Sequence, residues 1–150
     1  MGDRTRVTLT VLRSQAEKAQ ELFSEGYESE DTIASDSLLY SWEFDEVNYG
    51  RLPFLGGLKT AGIAYDSGWD NGDAYSSGYA SCRFSSEGEL VQKDLYDNED
   101  SIPLSVLTRL LNEPETLRQK ILDTIQERTV LPWDHQEEFG KLYRMKQLIT

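Results

Sequence analysis

Between positions 38 and 45, Leu38, Tyr40, Trp42 and Phe44 alternate with Leu39, Ser41, Glu43 and Asp45. A period of two belongs to a strand with one buried and one wet face. A strand is therefore predicted over 36–48, its apolar side packed on helices and its other side, acidic at the far end, turned to water. Val7, Leu9 and Val11 alternate with Thr8 and Thr10 in the same way, which predicts a first strand over 5–12. Ser14 and Glu17 have the spacing of a capping box, and Ala16, Ala19, Leu22 and Phe23 follow at helical spacing. These predict a helix over 15–24, and the acidic, turn-prone residues 27–35 are then expected only to connect.

Farther along, Pro53 and Gly62 bracket a short predicted helix, a strand begins at 63–65, and Asn71-Gly72 gives the strongest turn signal, that of a hairpin. Ala80, Cys82 and Phe84 fall on one face of a strand over 79–84, with Tyr79, Ser81 and Arg83 on the other. A turn at Glu87-Gly88 leads to a strand over 89–96. The period then changes to that of helices. Leu104, Leu107, Leu110 and Leu111 follow Pro103; Leu117, Ile121, Leu122 and Ile125 follow Pro114; Phe139, Leu142, Tyr143 and Met145 follow a capping pattern at Asp134 and Glu137. These helices are expected to cover the buried face of the sheet. The whole reads as one α+β domain over 1–150, with a mainly antiparallel sheet of about five strands, helices packed on one face and a helical C-terminal third. Residues 1–100 form its strand-rich, acidic part and residues 101–150 its helical part.

Charge sharpens this division. The net charge is −12, yet residues 1–18 sum to +2 and residues 101–150 to zero. Residues 19–100 hold eighteen acidic residues against Arg51, Lys59, Arg83 and Lys93, a balance of −14. Such a field repels nucleic acid and anionic membranes and attracts basic surfaces. Neither a membrane-length apolar run nor a signal-type start is present, and a single cysteine allows no internal disulfide. A soluble cytoplasmic protein is the expectation.

Catalytic chemistry finds few supports in the residue types. His135 is the only histidine, read here as two positions into a helix, and no Gly-x-Ser-x-Gly accompanies it. Cys82 alternates with Ala80 and Phe84 and reads as a small buried hydrophobe. One Cys and one His fall short of the usual four-ligand zinc site. The acidic stretch 66–73 does not fit a calcium loop: with Gly72 as the loop glycine, the ligand positions fall on Ser67, Trp69 and Gly78. Neither phosphate-binding glycine motif occurs. A non-enzymatic protein with no cofactor and no metal is expected, and the small basic clusters do not suit direct nucleic-acid binding.

What remains is the acidic surface. A domain of this length is about 40 Å across, and duplex DNA of that span carries roughly 23 phosphates, comparable with the eighteen carboxylates of residues 19–100. The expected function is to block a basic, nucleic-acid-handling partner, as DNA-mimic inhibitors of restriction or CRISPR systems carried by phages and plasmids do. That comparison rests on charge and size. Its binding residues would be Glu43, Asp45, Glu46, Asp66, Asp70 and Asp73, with Trp69 and Tyr75, joined by Tyr65 and Tyr79, as apolar anchors. Two alternatives stand beside it: an immunity or antitoxin protein with one compact acidic site for a cognate toxin, and an acidic cytosolic domain whose charge serves solubility alone.

Overall fold

A computed structural model describes residues 3–24, 31–33, 38–73 and 75–149, with residues 31–33 as backbone. The alternating segments become strands β1 (Arg4–Leu12), β2 (Asp31–Ile33), β3 (Leu39–Asn48), β4 (Tyr65–Trp69), β5 (Gly78–Phe84) and β6 (Leu90–Tyr96). All neighbours in this sheet run antiparallel, in the order β2-β3-β1-β4-β5-β6. The α+β architecture is the one that the periodicity predicts. The central strand is β1, whose Val7, Leu9 and Val11 are fully buried, with Leu9 opposite Trp42 and Val7 opposite Phe44.

Strict alternation fails at one place, for a local reason. Thr5 pairs with Val47 and Val7 with Phe44, so Arg6 alone opposes both Asp45 and Glu46. This two-against-one arrangement is a β-bulge. Glu46 takes up the extra length at φ 57°, and Val47 returns to the core, fully buried. A second departure is β2. Asp31–Ile33 do more than connect: they pair with β3 and satisfy the backbone groups along its outer edge. The rest of that connection, residues 25–30 and 34–37, lies outside the described residues, as does the start of the strand predicted from Asp36.

Three helices close the apolar face. The first, α1 (Ala16–Glu21), is shorter than predicted and follows a 3-10 turn at Arg13–Gln15. Its expected capping box does not form, because Ser14 Oγ donates to Glu137 at 3.0 Å instead. Phe23, just beyond the helix, sets its ring 5.0 Å from that of Trp42 and 5.4 Å from that of Phe44. The short helix after Pro53 is α2 (Leu55–Thr60), which buries Leu58. The third, α5 (Gln136–Ile149), places Tyr143 4.9 Å from the Phe84 ring. It approaches so closely that a Cβ on Gly140 would collide with the Gly62 carbonyl. Gln136, 2% exposed, accepts the Phe84 N–H at 2.8 Å and donates to the Phe84 carbonyl at 2.9 Å. Its amide thus does for the end of β5 what β4 does as far as Cys82.

The remaining helices, α3 (Leu104–Leu110) and α4 (Pro114–Arg128), behave differently from the expectation that every C-terminal helix covers the apolar face. Lys93 lies opposite Ser81, on the other side of the sheet, and donates to the carbonyls of Gln126 and Thr129 at 2.9 and 2.6 Å. That side chain caps the end of α4. No residue of α4 is buried, and Ile121, Leu122 and Ile125 are exposed. A charged tether therefore holds α4 where an apolar stripe was expected to. Among the described residues, no helix is long and apolar enough to cross a membrane.

Candidate functional site

Carboxylates predicted to meet a partner fall into two groups with different surroundings. On β3, Arg6 Nε donates to Asp45 Oδ1 at 2.9 Å and Arg6 Nη1 lies 3.3 Å from Glu43 Oε1. Arg4 Nη1 sits 3.8 Å from Glu46 Oε2. The hydrogen bond that Arg6 donates to Asp45, and then the charges of Asp45 and Glu43, raise the Arg6 pKa above its ordinary value. Asp66 is engaged more firmly. Arg83 Nη2 donates to its Oδ2 at 3.1 Å, and Nη1 lies 3.0 Å from Oδ1. The Arg83 side chain is 3% exposed, also donates to the carbonyls of Tyr65, Cys82 and Leu131, and stacks 3.7 Å from the Trp133 ring centre. Glu43, Asp45 and Asp66 are thus engaged within the fold, whereas Glu46, 77% exposed, is held only loosely.

Asp70 and Asp73 belong to the other group. Both are exposed, and among the described residues neither forms an ion pair. They follow Trp69 into the connection between β4 and β5. The hairpin expected at Asn71-Gly72 is present as a strand pair, but its paired ends are Trp69 and Gly78, so the link is a longer loop. Its Tyr75 folds back toward the sheet. Tyr49, Arg51, Trp69, Tyr75 and Tyr96 together line a cleft of about 170 Å³.

Local backbone geometry builds the cleft. Trp69 shares a sheet face with Tyr65 and Ser67, at an end where it is only half buried. Its indole Nε1–H donates to the Ser76 carbonyl at 2.9 Å, and the Tyr96 ring meets it edge-on at 5.6 Å. After the bulge, Tyr49 and Gly50 turn the chain with φ of 53° and 65°. Gly50 comes so near that a Cβ there would stand 2.8 Å from the Trp69 Cβ. Only glycine suits both requirements. Tyr49 is left 55% exposed on the rim. Burial first, and then the Asp3 carboxylate, raise the Tyr75 pKa, against a hydrogen bond with Thr5 that lowers it.

Carboxylates surround these rings. Asp94 lies 3.9 Å from the Arg51 guanidinium, Asp73 and Asp3 both act on Tyr75, and Asp97 accepts a hydrogen bond from Ser77 Oγ at 2.7 Å. Of the residues predicted for binding, the cleft gathers Trp69 and Tyr75, while Asp70 and Asp73 are exposed on the loop between them and Asp70 acts on Arg6. It does not include Glu43, Asp45, Glu46 or Asp66. Two proposed anchors are also misplaced: Tyr65 is 2% exposed in the core, and Tyr79 lies on the opposite face of the sheet. Tyr49, Arg51, Asp94 and Tyr96 were missed. The Gly78–Tyr96 pairing beneath Trp69 brings in Tyr96, which only the strand register could have revealed.

The two reactive side chains occupy structural positions. Cys82 is fully buried, and burial pushes its thiol up to about 12. His135 is not inside a helix: at φ 61° it makes the turn into α5, its carbonyl accepts the Phe139 N–H at 2.9 Å, and its ring is exposed beside Glu138. Among the described residues, no three carboxylate, histidine or cysteine side chains converge as metal ligands. No family model, no curated protein and no solved structure matches the chain.

Proposed function

We propose that this is a non-enzymatic binding protein that docks its acidic, aromatic-bearing sheet end onto a basic surface of a partner protein and blocks that surface. One observation carries the reading: four aromatic side chains line a concave site with Asp94 beside its Arg51 wall and Asp97 next in sequence to its Tyr96. Aromatic anchors supply contact area at little entropic cost, while the carboxylates steer and orient a basic partner. The partner's class is a nucleic-acid-handling protein, whose surface is basic because it meets phosphates. With one buried, unpaired cysteine, the protein would work in a reducing cytoplasm.

Within this reading, a compact site of the immunity-protein type is favoured over an extended DNA-like array. Arginines already offset Glu43, Asp45 and Asp66, which weakens any phosphate-like row along β3. The mimic reading, including anti-restriction or anti-CRISPR inhibition, keeps one support in the exposed acidic residues Asp97 and Glu99 that follow Tyr96, since Asp100 next to them is paired with Arg128. Capture from a bacterial lysate at low and high salt, repeated with an Asp70→Lys/Asp73→Lys variant, tests the proposal. A basic nuclease or nucleic-acid-binding complex retained by the native protein and lost with the variant is expected. Equal capture by both proteins would refute the assigned surface.

A further inference from the structure

The cleft also specifies which side chain it takes. At about 170 Å³ it is well below the ~300–1,000 Å³ of small-molecule and cofactor pockets, so it fits the head of one side chain better than a separate ligand. Its walls are four aromatic rings and Arg51, with Asp94 beside Arg51, and the Asp3 carboxylate and the Tyr75 ring converge on the space above Gly72. Both features favour a planar cation. The same fold already holds one guanidinium in this manner, since Arg83 lies 3.7 Å from the Trp133 ring centre while its other contacts reach Asp66. Arg51 provides a second sign. Arg51 lines the cleft, yet its side chain is 70% exposed and its ion pair with Asp94 spans a long 3.9 Å. A weakly held resident cation is one that an incoming guanidinium can displace.

We infer that the cleft is the receptor for one arginine side chain projecting from the partner, stacked among Tyr49, Trp69 and Tyr96 and paired to Asp94. This rests on the basic-partner reading but fails separately from it. Arginine is favoured over lysine because its plane stacks on rings and its fork matches a carboxylate.

The test is an NMR titration with three probes: a capped Gly-Arg-Gly peptide, the same peptide with neutral citrulline, and free arginine. Saturable shifts centred on the Trp69 indole N–H and the Tyr49 and Tyr96 rings are expected with the arginine peptide. Citrulline should bind at least about tenfold more weakly. Free arginine should also bind more weakly, because its own carboxylate meets the acidic rim. Tyr49→Asn keeps a residue that tolerates positive φ, and with Asp94→Asn it should reduce affinity while the rest of the spectrum stays folded. No saturation by roughly 10 mM peptide would overturn the inference. So would shifts spread along β3, or equal binding of citrulline, and tighter binding of free arginine would assign the cleft to a small cation instead. A basic partner captured through Asp70 and Asp73 by a protein whose cleft ignores the arginine peptide would keep the function and discard this inference.

Discussion

Two acidic groups flank the first residues of β1, and the same arginine decides how they differ. On the β3 side, Glu43 and Asp45 lie within 3.3 Å of Arg6, and Glu46 lies 3.8 Å from Arg4. On the β4 side, Asp70 donates its N–H to the Arg6 carbonyl, but its carboxylate ranks behind Asp45 and Glu43 in its effect on the Arg6 guanidinium. Arg6 alternates with Val7, so it points away from the face that carries Trp69. Asp70 alternates with Trp69 and so shares the face of Arg6, yet it lies beyond the two carboxylates that Arg6 pairs, while the cleft has its own cation in Arg51 beside Asp94. A count of carboxylates along the chain overstates the surface available to a partner wherever basic side chains share the same face of a sheet.

The largest effect separates core aromatics from cleft aromatics. Trp42→Ala should cost about 3–5 kcal/mol in chemical denaturation, because it empties a site that is 1% exposed. Trp69→Ala should cost less, since Trp69 is half buried, yet should remove binding of an arginine peptide. A Trp69 variant that binds normally would erase the distinction. Next comes Asp66→Ala, which strands the buried Arg83 charge and should destabilise by about 1.5–3 kcal/mol, short of a fully buried pair because Asp66 keeps 29% side-chain exposure.

Charge reversal compares the two acidic groups directly. Lysines at 43, 45 and 46 would face Arg4 and Arg6 at close range, so thermal unfolding should occur at a lower temperature than in the native protein. Asp70→Lys/Asp73→Lys should change stability by no more than about 0.5 kcal/mol. Equal stability of both variants would mean that the β3 ion pairs are inert. The smallest effect is alkaline. Burial raises the Cys82 thiol from its ordinary value of 9.0 to about 12, so the folded state prefers the neutral thiol. Its contribution is fully present below the unfolded pKa and is lost as pH rises from about 9 toward 12. A thiol reagent at pH 8 should leave Cys82 unmodified until denaturant is added, and prompt labelling of the folded protein would contradict its burial.

Much of the fold was legible because one face of each strand is buried, and burial writes itself into alternation. Val7, Leu9, Val11, Trp42, Phe44, Cys82 and Phe84 all point where a period of two places them. Even the bulge has a trace, in the spacing of Phe44 and Val47. Helical period was less informative: Ile121, Leu122 and Ile125 form an apolar stripe, but a stripe does not say what covers it, and α4 is held by Lys93. The candidate site was half legible. Trp69, Asp70, Asp73 and Tyr75 are close in sequence, whereas Tyr49 arrives through the turn at Gly50 and Tyr96 through its pairing with Gly78. The ion pairs of β3 were hidden for a similar reason, since Arg6 and Asp45 are 39 positions apart.

The most direct measurement is the affinity of one arginine-rich peptide for three proteins at low salt: native, Glu43→Lys/Asp45→Lys, and Asp70→Lys/Asp73→Lys. The account predicts that the first variant binds within about threefold of the native protein and the second at least about tenfold more weakly, a loss of about 1.4 kcal/mol. If the β3 variant loses the peptide and the Asp70/Asp73 variant keeps it, the binding surface lies on the outer face and the assignment made here is wrong.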